Sequence, residues 1–257
     1  MKYLEVFALD QVARGLSHSI NGVRVSTVIE AFSCSAGSDK KLYKSMDSIY
    51  SDLATSPDPA VVQSLCESPF GPLTEISSRK TLIFLVATLN SVFPDFDFSG
   101  VRPEEFRNEG VYKAIDSINV PLGSTLPHYQ ASLRDNLWNT LDKEICLRDC
   151  AIYSFNPEPE TDPLLQDGYL WAVNYFFFNR RLNRVVFFRS HAARMEAGEA
   201  EDEDYDMGEA MSGGSSGAPS ITSSDSLWTH DPDLEFMLAD TMADALTPSE
   251  KAAIALN

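Results

Sequence analysis

The most regular pattern of hydrophobic and polar positions lies between residues 170 and 190, where two apolar runs flank a basic, polar break at Asn179–Asn183. Both runs are rich in Val, Phe, Tyr and Trp and contain neither Gly nor Pro, which is typical of β-strands. A break of five residues fits a hairpin loop. Alternate positions of the first run form two apolar sets, one of Trp171, Val173, Tyr175 and Phe177 and one of Ala172, Phe176 and Phe178. Since side chains alternate between the faces of a strand, the sequence predicts a hairpin in a sheet that is covered on both sides.

Further strands and helices are predicted along the rest of residues 1–194. Asp39 is a plausible N-cap for a helix whose apolar face is formed by Leu42, Met46, Ile49 and Leu53. The pattern predicts strands over 2–9, 23–34 and 151–155, and helices over 12–19, 79–93, 103–119 and 129–149. We therefore expect a single globular α+β domain over 1–194, with a largely antiparallel sheet of four or five strands and helices on both faces.

Two segments depart from this globular pattern. Residues 55–72 collect Pro, Ser and Gly and are predicted to be a linker or mobile loop. Residues 195–257 are predicted to be an acidic, mostly disordered tail, because an acidic block and a Gly/Ser-rich stretch precede its hydrophobic residues. Short helices at 233–246 and 248–256 are possible there, and they could fold on a partner or dock on the chain's own domain.

Charge is distributed unevenly between the two parts. Residues 1–194 hold 19 Lys and Arg against 23 Asp and Glu, whereas residues 195–257 hold one Lys against 15 acids, a net charge of −14. Such a tail repels nucleic acid and attracts basic surfaces. No signal core and no apolar run of bilayer length is seen, and four cysteines do not make a disulfide framework. An intracellular protein in a reducing compartment is expected.

The search for chemistry yields no catalytic, cofactor-binding or metal-binding residue. Nucleotide-binding and hydrolase motifs are absent from the sequence, and the histidines are scattered. Cys146 and Cys150 are predicted on one helix face, but two ligands cannot close a zinc site, so we interpret them as buried small hydrophobes. The basic cluster is Arg180, Arg181, Arg184 and Arg189. Most of these arginines fall in or near the turn and are interpreted as a solvated loop, which could also serve nuclear import, rather than as an RNA-binding face, because both faces of the sheet are predicted to be buried.

Three serines are candidate phosphorylation sites. Ser45 follows Lys40, Lys41 and Lys44, a context that suits basophilic kinases. Ser56 and Ser68 each precede a proline, which suits proline-directed or TOR-type kinases. A phosphate at such a position adds about −1.5 to −2 charge and can dock or release a segment.

Three aromatic-rich boxes carry a family resemblance. They are SRKTLIFLVATLN (78–90) followed by PDFDFS (94–99), LWNTLDKEICLRDCAIYSFNP (137–157) and WAVNYFFFNRRLNRVVFF (171–188). The leading MKYLE and the stretch VIEAFSCSAGSDKK (28–41) extend the match. In these boxes, their order and the acidic segment behind them, the chain resembles the Maf-one family of eukaryotic negative regulators of RNA polymerase III.

The resemblance implies a function without catalysis. It implies a nuclear repressor that binds RNA polymerase III near its clamp and prevents recruitment by the initiation factor TFIIIB, especially its TFIIB-related subunit. Transcription of tRNA and 5S rRNA genes would fall under stress. Nutrient and stress kinases, TOR signalling among them, would control the phosphoprotein, with phosphorylation favouring an inactive or cytoplasmic form.

Candidate partner-binding residues follow from the boxes and the charge pattern. They are Asp39, Lys40, Lys41, Arg180, Arg181, Glu201, Asp202, Glu203 and Asp204. We expect a monomer with neither membrane association nor specific nucleic-acid binding. Two alternatives stay open: an acidic adaptor or chaperone-like module in another transcription complex, and a hydrolase that uses carboxylates among Asp95, Asp97, Asp142 and Glu144.

Overall fold

The computed structural model describes residues 1–34, 40–158, 162–164 and 168–195, all within one compact unit of the chain. Its strands are β1 (Lys2–Leu4), β2 (His18–Ile20), β3 (Val23–Ser33), β4 (Phe106–Glu109), β5 (Ala151–Phe155), β6 (Tyr169–Asn179) and β7 (Arg184–Arg194). Its α-helices are α1 (Phe7–Leu16), α2 (Lys40–Ala54), α3 (Pro59–Cys66), α4 (Ile76–Val92), α5 (Val111–Thr125) and α6 (Arg134–Ile145). Residues Tyr129–Leu133 form a π-helical turn, and Pro103–Glu105 and Leu147–Asp149 form 3₁₀ turns.

The strands form one antiparallel sheet in the order β1-β3-β7-β6-β5-β4. The short strand β2 pairs with the start of β3, and β1 pairs with the end of β3. The predicted hairpin is confirmed: β6 and β7 pair from Tyr169 to Asn179 and enclose a turn over residues 180–183. The long strand β3 lies next to β7 over its whole length. The sheet therefore has seven strands among the described residues, more than the four or five expected.

Helices cover both faces of the sheet, as the two apolar sets of β6 predicted. On one face Phe177 packs in a cluster with residues of α1, α5 and α6, and on the other Phe176 packs with residues of α2, α3 and α4. The rings of Phe176 and Phe187 lie 4.9 Å apart between neighbouring strands. Each Å² of apolar surface that is buried contributes about 25 cal/mol, so these two layers make the main stabilising contribution to the fold.

Several boundaries differ from the sequence prediction. The predicted strand over 2–9 ends at Leu4, and α1 begins at Phe7 because its apolar residues repeat at helical spacing toward the sheet. The predicted helix over 103–119 contains β4, which pairs with β5 before α5 starts. Residues 55–72, predicted to be a loop, contain α3, whose N-cap Asp58 accepts the Ala60 N–H at 2.9 Å.

Candidate functional site

The turn between β6 and β7, here called the hairpin tip (residues 179–184), is held by a buried asparagine. Asn179 is 1% exposed, and its side-chain carbonyl accepts the Leu182 N–H at 3.1 Å. Its side-chain amide donates to the Ile145 carbonyl at 2.8 Å and so joins the tip to the end of α6. Asn183 lies in the left-handed region with φ 48°, a conformation that asparagine tolerates better than most residues. The backbone of the tip is therefore fixed from both sides.

Three arginines of the tip are each held by a neighbouring element. Arg180 donates to the Thr81 hydroxyl on α4 at 3.1 Å, and Arg181 donates to the Asp149 carboxylate at 3.0 Å. Arg184 donates to the Glu144 carbonyl at 2.8 Å and lies 3.6 Å from the carboxylate of the same residue. The Arg181 side chain remains 81% exposed despite its ion pair, so its guanidinium is both oriented and accessible.

An exposed leucine, Leu182, lies between Arg181 and Arg184 in the chain. Leu182 is 49% exposed at the apex of the tip. Arg148, whose side chain is 71% exposed, adds a further positive charge from the neighbouring 3₁₀ turn. Four arginines thus face two carboxylates, those of Glu144 and Asp149, which leaves a local surplus of two positive charges in a chain of net charge −18.

The other predicted partner-binding residues lie elsewhere or outside the described residues. Lys40 and Lys41 are exposed at the first turn of α2. The end of β3 adjoins the tip, since the Cys34 N–H donates to the Asn183 carbonyl at 2.7 Å. Asp39 and the tail acids Glu201, Asp202, Glu203 and Asp204 belong to the parts of the chain that the structure does not describe.

The three candidate phosphorylation sites differ in accessibility. Ser45 is exposed on α2. The Ser56 hydroxyl accepts the Asp58 N–H at 3.3 Å before α3. Ser68 is more engaged, because its hydroxyl donates to the Gly71 carbonyl at 2.5 Å beside the buried Phe70. The Ser45 side chain is therefore open to solvent, whereas the Ser68 hydroxyl is engaged in its turn.

Helix α2, which carries Ser45, is joined to α4 by an ion pair. The side chain of Arg79 lies only 2.7 Å from the Asp47 carboxylate and also donates to the Leu73 and Thr74 carbonyls. Burial of Met46 accompanies this pair. The contact orients α2 so that Ser45 faces solvent.

Comparison with known proteins identifies the architecture. The family model described as Maf1 regulator matches residues 25–189 of this chain. The chain belongs to the Maf1 family. The matched region contains α2, α4 and the hairpin tip, whereas α1 precedes it.

Relatives of known name support the assignment. The repressor of RNA polymerase III transcription maf1 of Schizosaccharomyces pombe is 36% identical over 203 residues, which cover 76% of this chain and 84% of that protein. The repressor of RNA polymerase III transcription of Dictyostelium discoideum is 32% identical and covers 74% of this chain and 84% of its own length. A crystal structure of citrus MAF1 superposes with a TM-score of 0.58 at 31% identity and covers 72% of this chain and 98% of its own.

Two predictions about chemistry-bearing residues were wrong in their placement. Arg189 was grouped with the solvated basic cluster, but it is 4% exposed and donates to Asn174 at 2.7 Å and to the Leu164 carbonyl at 3.1 Å. Cys146 ends α6 with φ 55° and is exposed, while Cys150 lies beyond the following 3₁₀ turn and is partly exposed, so neither is a buried residue on a helix face. Burial raises the pKa of the Cys150 thiol to about 12.

The carboxylates raised for the hydrolase alternative serve local structure. Asp142 accepts the Leu147 N–H at 2.8 Å, and Glu144 lies beside Arg184. Hydrogen bonds from the backbone and side chain of Ser99 lower the pKa of Asp97, which is the opposite of what a general acid needs. Within the described ranges no group of three metal-ligating side chains is found, and no helix is long and apolar enough to cross a membrane.

Some residues of the site could not be found by sequence reasoning. The sequence indicated Arg180 and Arg181 through their charge. It gave no signal for Asp149 and Thr81, because the contacts of these residues join elements that are distant in the chain. The pattern Asn-Arg-Arg-Leu-Asn, in which asparagines bracket the turn, was the one local hint of a fixed tip.

Proposed function

We propose that this chain represses transcription by RNA polymerase III. The observation that carries the proposal is the match to the Maf1 regulator model over residues 25–189, together with relatives that are named repressors of this polymerase. The repressor binds the polymerase in its clamp region and blocks recruitment by TFIIIB through the TFIIB-related subunit. Synthesis of tRNA and 5S rRNA falls as a result. The exposed, fixed hairpin tip supports a role in protein recognition.

The repressor acts by occupancy rather than by chemical conversion. A domain that occupies the clamp region competes with the initiation factor for the same surface, so the order of addition matters. Protein bound before TFIIIB prevents initiation, while protein added after a complete initiation complex has formed has less effect. The open basic tip suits such a contact because its charged groups accelerate association.

A reconstituted transcription assay tests this proposal. A tRNA gene is transcribed with purified TFIIIB and RNA polymerase III, and the full chain is added before or after the initiation complex forms. We expect a dose-dependent loss of transcript that is larger when the chain is added first. Equal transcription with and without the chain would exclude repression. Repression that is independent of the order of addition would exclude competition with TFIIIB.

Kinase control forms the regulatory part of the proposal. Phosphorylation of Ser45, Ser56 and Ser68 by nutrient-dependent and stress-dependent kinases shifts the protein from the nucleus to the cytoplasm and lowers repression. The exposed position of Ser45, four residues after Lys41 on the same helix, supports this site most directly, because a phosphate there reduces the positive charge at the start of α2.

Phosphosite mapping tests the regulatory part. Protein from nutrient-rich cells is digested, and its phosphorylated residues are identified by mass spectrometry. In intact cells, the distribution of the parent protein between nucleus and cytoplasm is compared with that of a Ser45→Ala variant. We expect Ser45 to carry more phosphate than Ser68 and the alanine variant to accumulate in the nucleus. The matched control is Ser51→Ala, since Ser51 is another exposed serine on the same helix. Phosphate found only on other residues would contradict the proposal that Ser45, Ser56 and Ser68 are the regulatory sites.

A further inference from the structure

We propose that the hairpin tip docks an acidic segment of a partner protein, and that this segment also presents an apolar surface. Leu182 enters an apolar recess of that segment, and Arg180 and Arg181 bind its carboxylates. The inference rests on the proposed function, in which the partner is RNA polymerase III, and it specifies which surface of this chain makes contact and what chemistry the partner presents.

The exposed leucine is distinguished by its setting. Scattered exposed hydrophobic residues are ordinary on protein surfaces, and Leu170 at the other end of β6 is 46% exposed. Leu182 is 49% exposed between two arginines, on a backbone that Asn179 holds. Arginine is enriched among the residues that dominate binding free energy at protein interfaces, whereas leucine is under-represented, so Leu182 adds apolar burial to a contact made mainly by the arginines.

Preorganisation gives the tip an advantage in binding. Arg181 is oriented by Asp149, and Arg180 is oriented by Thr81 with its guanidinium 6.0 Å from the centre of the Phe178 ring. Side chains that are already ordered lose less conformational entropy when a partner binds. A carboxylate of the partner therefore meets guanidinium groups whose positions are largely set before contact.

Charge complementarity specifies an acidic partner. The tip and the neighbouring 3₁₀ turn carry four arginines against the carboxylates of Glu144 and Asp149, a surplus of two positive charges. The rest of the chain is strongly negative, since the total is −18. The tip is thus a basic surface on an acidic molecule, and it attracts a negatively charged segment that the remainder of the chain repels.

The details of the tip favour protein over nucleic acid. Residues 180–183 contain no aromatic ring on which a base could stack, and single-stranded nucleic acid is bound largely through such stacking. An acidic peptide can accept from the N–H donors of Arg181 that Asp149 does not use, and it can still give Leu182 an apolar contact.

Matched substitutions in the full chain test the inference. Leu182→Ser is compared with Leu170→Ser, and Arg181→Glu is compared with Arg14→Glu, whose side chain is 78% exposed and, like Arg181, pairs with an aspartate. Binding is measured to purified RNA polymerase III and, separately, to a DNA duplex. Melting temperatures show whether each variant is folded.

The expected result is a selective loss of polymerase binding. Leu182→Ser and Arg181→Glu should each weaken binding about tenfold, as for a central interface residue, while both control variants bind as the parent does. Unchanged polymerase binding by both tip variants overturns the inference and leaves the proposed function intact. A tip-dependent loss of duplex binding without loss of polymerase binding assigns the surface to nucleic acid and also overturns it. Absence of parent binding to the polymerase overturns the inference and the proposed function together.

Discussion

Asn179 links three parts of the molecule through one side chain. It is buried, and its amide group contacts the Ile145 carbonyl and the Leu182 N–H. A buried polar group that loses its partner keeps its full desolvation cost, which is larger than the net contribution of a hydrogen bond between two satisfied groups. The shape of the tip therefore depends on this one residue more than on either arginine beside it.

The substitution Asn179→Ala should lower the free energy of unfolding by about 2–3 kcal/mol, because it removes the hydrogen bond to the Leu182 N–H and leaves the Ile145 carbonyl with only the weak contact from the Cys150 thiol at 3.5 Å. Urea unfolding followed by circular dichroism measures the change. Asn108→Ala is the control, since Asn108 is exposed and its side-chain amide donates to the Pro69 carbonyl at a long 3.4 Å. Equal midpoints for Asn179→Ala and the parent would show that water satisfies both groups.

His191 gives the fold a dependence on acid. Burial and the nearby Arg189 lower its pKa from 6.5 to about 4. The folded protein therefore holds this ring neutral at pH values where the unfolded chain protonates it. The contribution to stability is present above pH 6.5 and is lost as the pH falls toward 4. Its Nδ1 atom is buried and has no hydrogen-bond partner among the described residues, while the ring stacks on Tyr169 at 4.6 Å.

The substitution His191→Phe should flatten the acid-dependent loss of stability. Phenylalanine preserves the stack on Tyr169 and cannot be protonated, so the melting temperature of the variant should fall less than that of the parent between pH 6.5 and pH 4. Thermal melts across this range measure the difference. Parallel curves for parent and His191→Phe would mean that other groups cause the acid sensitivity.

The β6–β7 hairpin organises the molecule because it carries residues of both cores. Phe177→Ala removes a fully buried ring and should cost about 3–5 kcal/mol. Trp171→Ala should fall at the lower end of that range, because the indole is only partly buried although its N–H donates to Thr125 at 3.0 Å. Leu170→Ala, on the exposed end of the strand, should change stability by less than about 0.5 kcal/mol. Chemical denaturation measures all three. A Phe177→Ala protein as stable as the parent but unable to repress would identify the ring as a contact residue.

Long elements with strong periodicity could be predicted from the sequence, and short ones could not. The strands β3, β6 and β7 each carry long runs of β-branched and aromatic residues that fix their type, and α4 is a long apolar run that Pro94 stops. β4 spans Phe106–Glu109 and buries only its first and last residues, so it shows no alternation, and the preceding Pro103 favoured a helix. α3 was hidden because proline and serine precede it, although Asp58 supplies its cap. The residues of the candidate site also differ in how far the sequence predicts them. Charge indicated Arg181, whereas no local pattern indicated Asp149.

The molecule as a whole is electrostatically divided. Residues 1–194 carry a net charge of −4, and residues 195–257 carry −14. The basic hairpin tip lies in the first part, and the most acidic segment lies in the second. An anionic segment tethered to a bound domain can reach an effective concentration in the millimolar range near its target. Repression by such a protein can therefore combine a specific contact through the domain with a charge-based contact through the tail.

Neutralisation of the tail tests the second contact. Changing Glu201, Asp202, Glu203 and Asp204 to their amides removes four negative charges, and we expect weaker polymerase binding or weaker repression of a tRNA gene at low salt. The difference should shrink as salt rises, because the Debye length falls from about 10 Å at 0.1 M to about 3 Å at 1 M. The control changes Ser212, Ser215, Ser216 and Ser220 to alanine, which alters the same tail without altering its charge. A chain that ends at Arg194 should still bind the polymerase through the domain, since the family match ends at residue 189. If the neutralised protein represses as well as the parent at every salt concentration, the acidic block makes no charge-based contact that repression needs.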